Sequence, residues 1–278
     1  MFEPFNYSFF VNGSIAAVIV GALCGLIGVY VVLRGMSYIG HGLSHAIFGG
    51  AVVSYVMAWN FYLGAGLWGF LAAILINQTA RRARIGADAA IGVITTASFA
   101  IGIALISKFR KFTRSFDAAL FGNILGVDTT DVLVIAAIAL VIMTVIFVIY
   151  KRMLFTAFDS DVARVYGVRT EWMEALFALA LAATLIASMQ ILGVTLIAAA
   201  LVVPAITARL LTDSFNRMVA YSMALGAATG LAGMYVSFYA DVASGATIVL
   251  LQALCFIIAL TIGAIRRSNT NRLSHTHV

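Results

Sequence analysis

The stretch VLVIAAIALVIMTVIFVIY, residues 132–150, runs from Asp131 to Lys151 without one charged side chain. It is 19 residues long. A helix that crosses a bilayer needs about 20, because the hydrocarbon core is about 30 Å thick and each residue rises about 1.5 Å. The stretch therefore predicts a transmembrane helix, and the gaps between charges elsewhere repeat it. Across 278 residues, 63% are hydrophobic and 10% charged. A soluble domain is about half apolar and about a quarter charged. The mean hydropathy of +1.06 excludes a soluble globular protein, a disordered chain and a disulfide scaffold. The fold class is all-α, a polytopic membrane helix bundle. Twenty-four glycines against two prolines predict close helix packing.

Dividing the charge-free gaps by the length of a span gives about nine crossings, within a range of about eight to ten. Span 1 covers about 9–33 and span 2 about 38–58, with a turn at Asn60–Gly64 before span 3. Span 4 covers about 89–107, span 5 about 132–150, span 8 about 218–238 and span 9 about 245–265. Only 34 charge-free residues separate Glu174 from Arg209, and Gln190 and Gly193 divide them. Spans 6 and 7 are then both short, as a tight hairpin, or one is re-entrant. Pro204 kinks span 7 because it lacks a backbone donor. Residues 1–267 form one transmembrane domain, followed by a polar, disordered tail at 268–278. His275 and His277 belong to that tail. Cys24 and Cys255 lie inside apolar runs, so no structural disulfide is expected.

The net charge of +6 reflects helix ends and not nucleic acid. Arg81-Arg82-Ala83-Arg84, Lys151-Arg152 and Arg266-Arg267 mark one side, by the positive-inside tendency the cytoplasmic side. The N-terminus is then outside and the C-terminus cytoplasmic. The basic segment KFRKFTR at 108–114 disagrees, and four inside clusters, those three with Arg209 to Arg217, outvote it. Residues 116–127 are either an outer loop or a re-entrant helix.

Ionisable groups inside a span are costly and mark function by default. Two qualify here, His41 and His45 in MSYIGHGLSHAIFGG. Four residues apart, they share one helix face. Imidazole suits manganese, iron, zinc and other first-row divalent ions, so the pair is half of a metal site. A hydrogen bond between helices is the competing role. His41-Gly-Leu-Ser-His45 has no glutamate to activate a metal-bound water, so a zinc peptidase is excluded. Asn123 and Asp241 are weaker pathway candidates, with Pro204.

The chain contains no GxxxxGK[ST] phosphate-binding loop, and carboxylates are almost absent from the spans. It is not itself an ATPase, and a proton- or sodium-coupled carrier usually keeps acids in its spans. A second chain must then supply the energy. The best docking segment is TAFDSDVARVYGVRT at 156–170, where Asp159 or Ser160 caps a short helix and Gly167 ends it.

Four stretches carry a family resemblance: VVLRGMSYIGHGLSHAIFGG, AALFGNILGVDTTD, TAFDSDVARVYGVRT and LGVTLIAAALVVPAITARLL. Together, and in order along the chain, they resemble the ABC-3 permeases of bacterial manganese, zinc and iron importers. The resemblance implies a homodimeric permease of type II importer architecture in the bacterial plasma membrane. It also implies a separate pair of ABC ATPase subunits inside. A metal-binding lipoprotein or periplasmic protein would deliver the ion from outside. Phe158, Asp159, Ala163, Arg164 and Gly167 match the segment that docks the ATPase. No permanently bound cofactor is implied, since the divalent metal is cargo. The family usually carries Asp where this chain has His41, while His45 is matched. That exchange removes a negative charge and moves preference towards borderline ions. The alternatives from the residues alone are a secondary carrier or channel working without ATP, or a membrane scaffold.

Overall fold

The structure is a computed structural model and describes residues 3–82, 87–109, 120–122 and 126–274. A 3-10 turn at Glu3–Asn6 leads into α1 (Ser8–Leu33), followed by α2 (Ser37–Val56), α3 (Phe61–Arg82) and α4 (Ala87–Phe109). Then come α5 (Thr129–Phe158), a short α6 (Ser160–Val165), α7 (Thr170–Leu211), α8 (Phe215–Ala240) and α9 (Ser244–Ser274). The apolar run that opens the sequence analysis forms the body of α5. Its N-terminus carries a reciprocal cap, in which the Asp128 side chain accepts from the Asp131 N–H and the Asp131 side chain from the Asp128 N–H. Among the described residues, six helices are long and apolar enough to cross a membrane by length and composition, and α1 and α7 are the most deeply buried of them.

At 42 residues α7 is twice the length of one span. Its backbone leaves helical geometry at Gly193, where φ is +72°. The neighbours on either side show that the chain doubles back there. Glu174 and Phe177 lie beside Arg34, and Ile186 lies further along, facing Gly69 across from Ile47. Leu201 then returns to the level of Gly28 and Gly40, closer to Arg34 again. Two antiparallel arms, 170–192 and 194–211, therefore replace one rod. Counting both arms, the described residues contain nine long helical segments. The expected hairpin at Gly193 is present and no re-entrant helix is needed there.

Close packing at this turn explains why Gly193 is glycine. A side chain there would collide with the Leu120 carbonyl and the Gly122 amide, and the positive φ disfavours any L side chain. Thr195 Oγ1 donates to the Leu120 carbonyl at 2.7 Å. Thus 120–122 is wedged into the α7 turn. Residues 110–119 and 123–125, which include Asn123 and most of KFRKFTR, lie outside the described residues.

Lipid tails are as apolar as leucine, so helices in a bilayer associate through close contact more than apolar burial. The α1–α8 crossing follows that rule: Gly21 and Gly226 meet backbone to backbone, and Ser222 Oγ donates to the Gly25 carbonyl at 2.7 Å. Around this centre α1 also packs on α5 and α7, while α2 packs among α3, α4 and α7. The outer faces of α5 and α9 are apolar and exposed, as at Leu140, Val148, Leu250 and Leu254.

Two sequence expectations are corrected. The α2–α3 turn spans Met57–Asn60 and not Asn60–Gly64, because the Asn60 side chain accepts from the Tyr62 and Leu63 amides and starts α3. The polar tail expected from 268 is helical as far as Ser274. RRSNTNRLS contains no glycine or proline to stop α9.

Candidate functional site

His41 and His45 sit early in α2, on neighbouring turns of one face. Their Nε2 atoms are 3.3 Å apart and the ring planes stand at 86°. Both side chains are half-buried, in contrast to the closed positions between and beyond them at Leu43, Ser44, Ile47 and Phe48. The pair therefore occupies the open edge of a helix otherwise enclosed by α3, α4 and α7.

The neighbouring residues set this geometry. A Cβ at Gly42 would collide with Ile91, so α4 lies directly against α2 beside the pair. From α4, the Phe99 ring meets the His45 ring edge-on, with centroids 4.9 Å apart. Ser44 Oγ donates to the His41 carbonyl at 2.8 Å, which satisfies that buried hydroxyl within the helix and keeps it off the imidazoles.

Two nitrogens each about 2.1 Å from one ion, at ligand angles of about 90–110°, stand about 3.0–3.4 Å apart. The observed separation matches that spacing. With no ion bound, one nitrogen donates to the other, since each neutral imidazole carries a single N–H. His45 Nδ1 is buried and has no hydrogen-bond partner among the described residues. Either tautomer of His45 thus leaves one ring nitrogen unsatisfied. Among the described residues no group of three or more His, Cys, Asp or Glu gathers to hold a metal.

The other sequence candidates are spread out. Pro204 lies one turn beyond Leu201 on the returning arm of α7, and Leu201 lies against Gly40, one residue before His41. Asp241 is at the opposite end from Arg34. It caps α8 in the left-handed conformation, φ +53°, on the rim of a 360 Å³ cavity lined by Phe9, Phe10 and Phe238. It does not join the histidines.

Residues 156–170 contain the short capped helix α6. Asp159 Oδ1 accepts from the Asp161 and Val162 amides at 3.0 and 2.9 Å, so Asp159 is the cap of α6. Gly167, φ +82°, ends the turn, and its amide donates to the Arg164 carbonyl. Ala163 is buried against the bundle, while Phe158, Val165 and Tyr166 project outward. Arg164 pairs loosely with Asp161 at 3.9 Å and donates to Thr170.

Sequence reasoning missed a polar clasp at the far end. Tyr62 Oη donates to Asp131 Oδ1 at 2.8 Å, and Gln190 Nε2 donates to the same oxygen at 3.3 Å. It ties α3, α5 and the first arm of α7. Gln190, an amide inside an apolar run, was its only visible signal.

Known proteins of similar sequence and fold cover nearly the whole chain. The profile of the ABC 3 transport family matches residues 6–263. The manganese transport system membrane protein MntC of Listeria monocytogenes is 37% identical over 254 residues, covering 91% of this chain and 90% of that protein. The chelated iron transport system membrane protein YfeC of Yersinia pestis is 36% identical, covering 92% and 87%. The solved structure of PsaBC from Streptococcus pneumoniae, in complex with Fab, superposes with a TM-score of 0.83 at 34% identity, covering 91% of both chains.

Proposed function

The chain belongs to the ABC 3 transport family, and from that premise we propose that it is the membrane permease of an ATP-driven importer of a divalent transition metal. Manganese, iron and zinc are the candidate cargoes, with manganese and iron favoured by the relatives. His41 and His45 hold the ion briefly as it passes. The observation that carries this reading is the Nε2–Nε2 separation of 3.3 Å on the open edge of α2.

The remaining parts follow from what the chain lacks. It has no phosphate-binding loop, so a separate pair of ABC ATPase subunits hydrolyses ATP and engages Phe158, Asp159, Arg164 and Gly167, with Ala163 seating the segment against the bundle. Two imidazoles leave the coordination of an ion incomplete. A second copy of the chain facing the first supplies two more around a shared pathway. An external binding protein delivers the metal, and the bundle sits in the bacterial plasma membrane with its N-terminus outside and its C-terminus in the cytoplasm. Protonation, or release of the shared ligands, frees the ion, because an importer that bound its cargo in a closed site would retain it.

The test is uptake of Mn²⁺ into proteoliposomes holding the chain with its ATPase. ATP-dependent uptake supports the reading. Equal flux without ATP or the ATPase would identify a stand-alone carrier or channel instead.

A further inference from the structure

Arg34 ends α1 and stands at the corner that leads into the histidine helix. Its surroundings are unusual for a cation. The guanidinium carbon lies 4.4 Å from the centre of the Phe177 ring, on the first arm of α7. Nη2 contacts Met153 Sδ at 3.5 Å, on the last part of α5. Nε is buried and finds no acceptor among the described residues. Burial pulls the group below the ordinary arginine range, and the carboxylate of Glu174 opposes that pull.

These contacts have two consequences. First, Arg34 bridges the two helices between which α6 is suspended: α5 runs into it and α7 leaves it. Met153 lies in the last turns of α5 before α6, and Phe177 about two turns into α7 after it. Second, the contacts are soft. A ring face and a thioether offer weak, poorly directed attraction compared with a bidentate carboxylate. The guanidinium can slide across them without breaking a locked ion pair, and its free Nε–H leaves it short of full satisfaction here. Beyond Arg34, Gly35 turns the chain with φ +66° and α2 begins at Ser37. Only a short corner separates the cation from His41.

We propose that Arg34 is a positioning residue for transport, carrying displacement of the α6 segment through α5 and α7 to the corner that sets the histidine helix. This rests on the permease reading above.

The experiment compares wild type, Arg34→Met, Arg34→Lys and Phe177→Leu. Each is purified with its ATPase, reconstituted, and supplied with Mn²⁺ and ATP. The readout is Mn²⁺ taken up per ATP hydrolysed, beside the melting temperature of the complex. Arg34→Met keeps length and apolar packing but removes charge and donors. It should lower the ratio at least about fivefold while hydrolysis continues. Arg34→Lys, which restores the charge without the planar fork, should recover part of it, and Phe177→Leu should lower it. A purely structural role would lower uptake and hydrolysis together, leave the ratio unchanged, and overturn the proposal. Should Arg34→Met fail to assemble, an unchanged ratio in both Arg34→Lys and Phe177→Leu overturns it equally. The wild-type arm separates the two claims. No ATP-dependent uptake there contradicts the permease reading, whereas normal wild-type uptake with unchanged ratios in the variants contradicts only the role of Arg34.

Discussion

His41 and His45 face each other through their Nε2 atoms at 3.3 Å, with no third metal-ligating side chain gathered beside them among the described residues. At this spacing one imidazole N–H donates to the other ring, and for the pair to hold a metal that N–H would have to leave or move to the far nitrogen.

Uptake should fall as pH falls. An imidazole binds metal only when neutral, and its ordinary pKa is about 6.5. Protonation of either imidazole removes a ligand, so uptake per ATP should be lower in acid than at neutral pH. Measuring ATP hydrolysis in parallel removes any direct effect of pH on the ATPase. A flat ratio would contradict metal binding by the histidines.

His41→Asp restores the residue that the resembled family usually has there. An aspartate adds a hard, negatively charged oxygen to the borderline nitrogen of His45. Competition between Mn²⁺ and Zn²⁺ in the same liposomes should shift towards Mn²⁺ relative to wild type. An unchanged preference would mean that residue 41 does not contact cargo.

Gly193→Ala should destabilise the permease by about 2 kcal/mol or more, because a left-handed backbone is combined with a collision against Leu120. The contrasting variant is Gly92→Ala on α4, where an added Cβ meets nothing within 4 Å. That change should be neutral, or stabilising by about 0.5–1 kcal/mol. Thermal unfolding in detergent reads both, and similar melting shifts would contradict the hairpin.

Tyr62→Phe removes the hydroxyl that donates to Asp131 and leaves Gln190 as the remaining side-chain donor to that oxygen. A hydrogen bond to a charged group is worth about 1.5–3 kcal/mol, and the melting temperature should fall accordingly. Gln190→Leu, losing the longer bond, should cost less.

Asp159→Ala removes the cap that holds the Asp161 and Val162 amides. It should loosen α6 by about 1 kcal/mol. Reversing charge at both Asp159 and Arg164 should weaken co-purification of the ATPase. Undiminished co-purification would remove α6 from the docking surface.

Much of this was legible in the sequence because membrane spans announce themselves by what they omit. Charge-free gaps located every long helix, and Asp159 and Gly167 bounded α6 from local chemistry alone. Gly193 was visible as a divider, but its role depends on Leu120 and Gly122, which are remote in sequence. The pairing of His41 with His45 followed from helical spacing. Their position on an open edge depends on how α3, α4 and α7 enclose α2, which no local pattern reveals. Arg34 looked like one more basic helix end. Only packing distinguishes it, because cation–ring and cation–sulfur contacts leave no signature in spacing. Asp241 was a weak pathway candidate beside the favoured reading of a solvated loop acid, and the fold places it as the cap of α8, away from the histidines.

The central claim, that the two histidines handle cargo, is tested most directly by ATP-driven Mn²⁺ uptake in proteoliposomes with His41→Ala and His45→Ala. Both variants should assemble with the ATPase and lose at least about 90% of uptake, since one imidazole alone cannot chelate. Uptake at the wild-type rate in both would contradict the account.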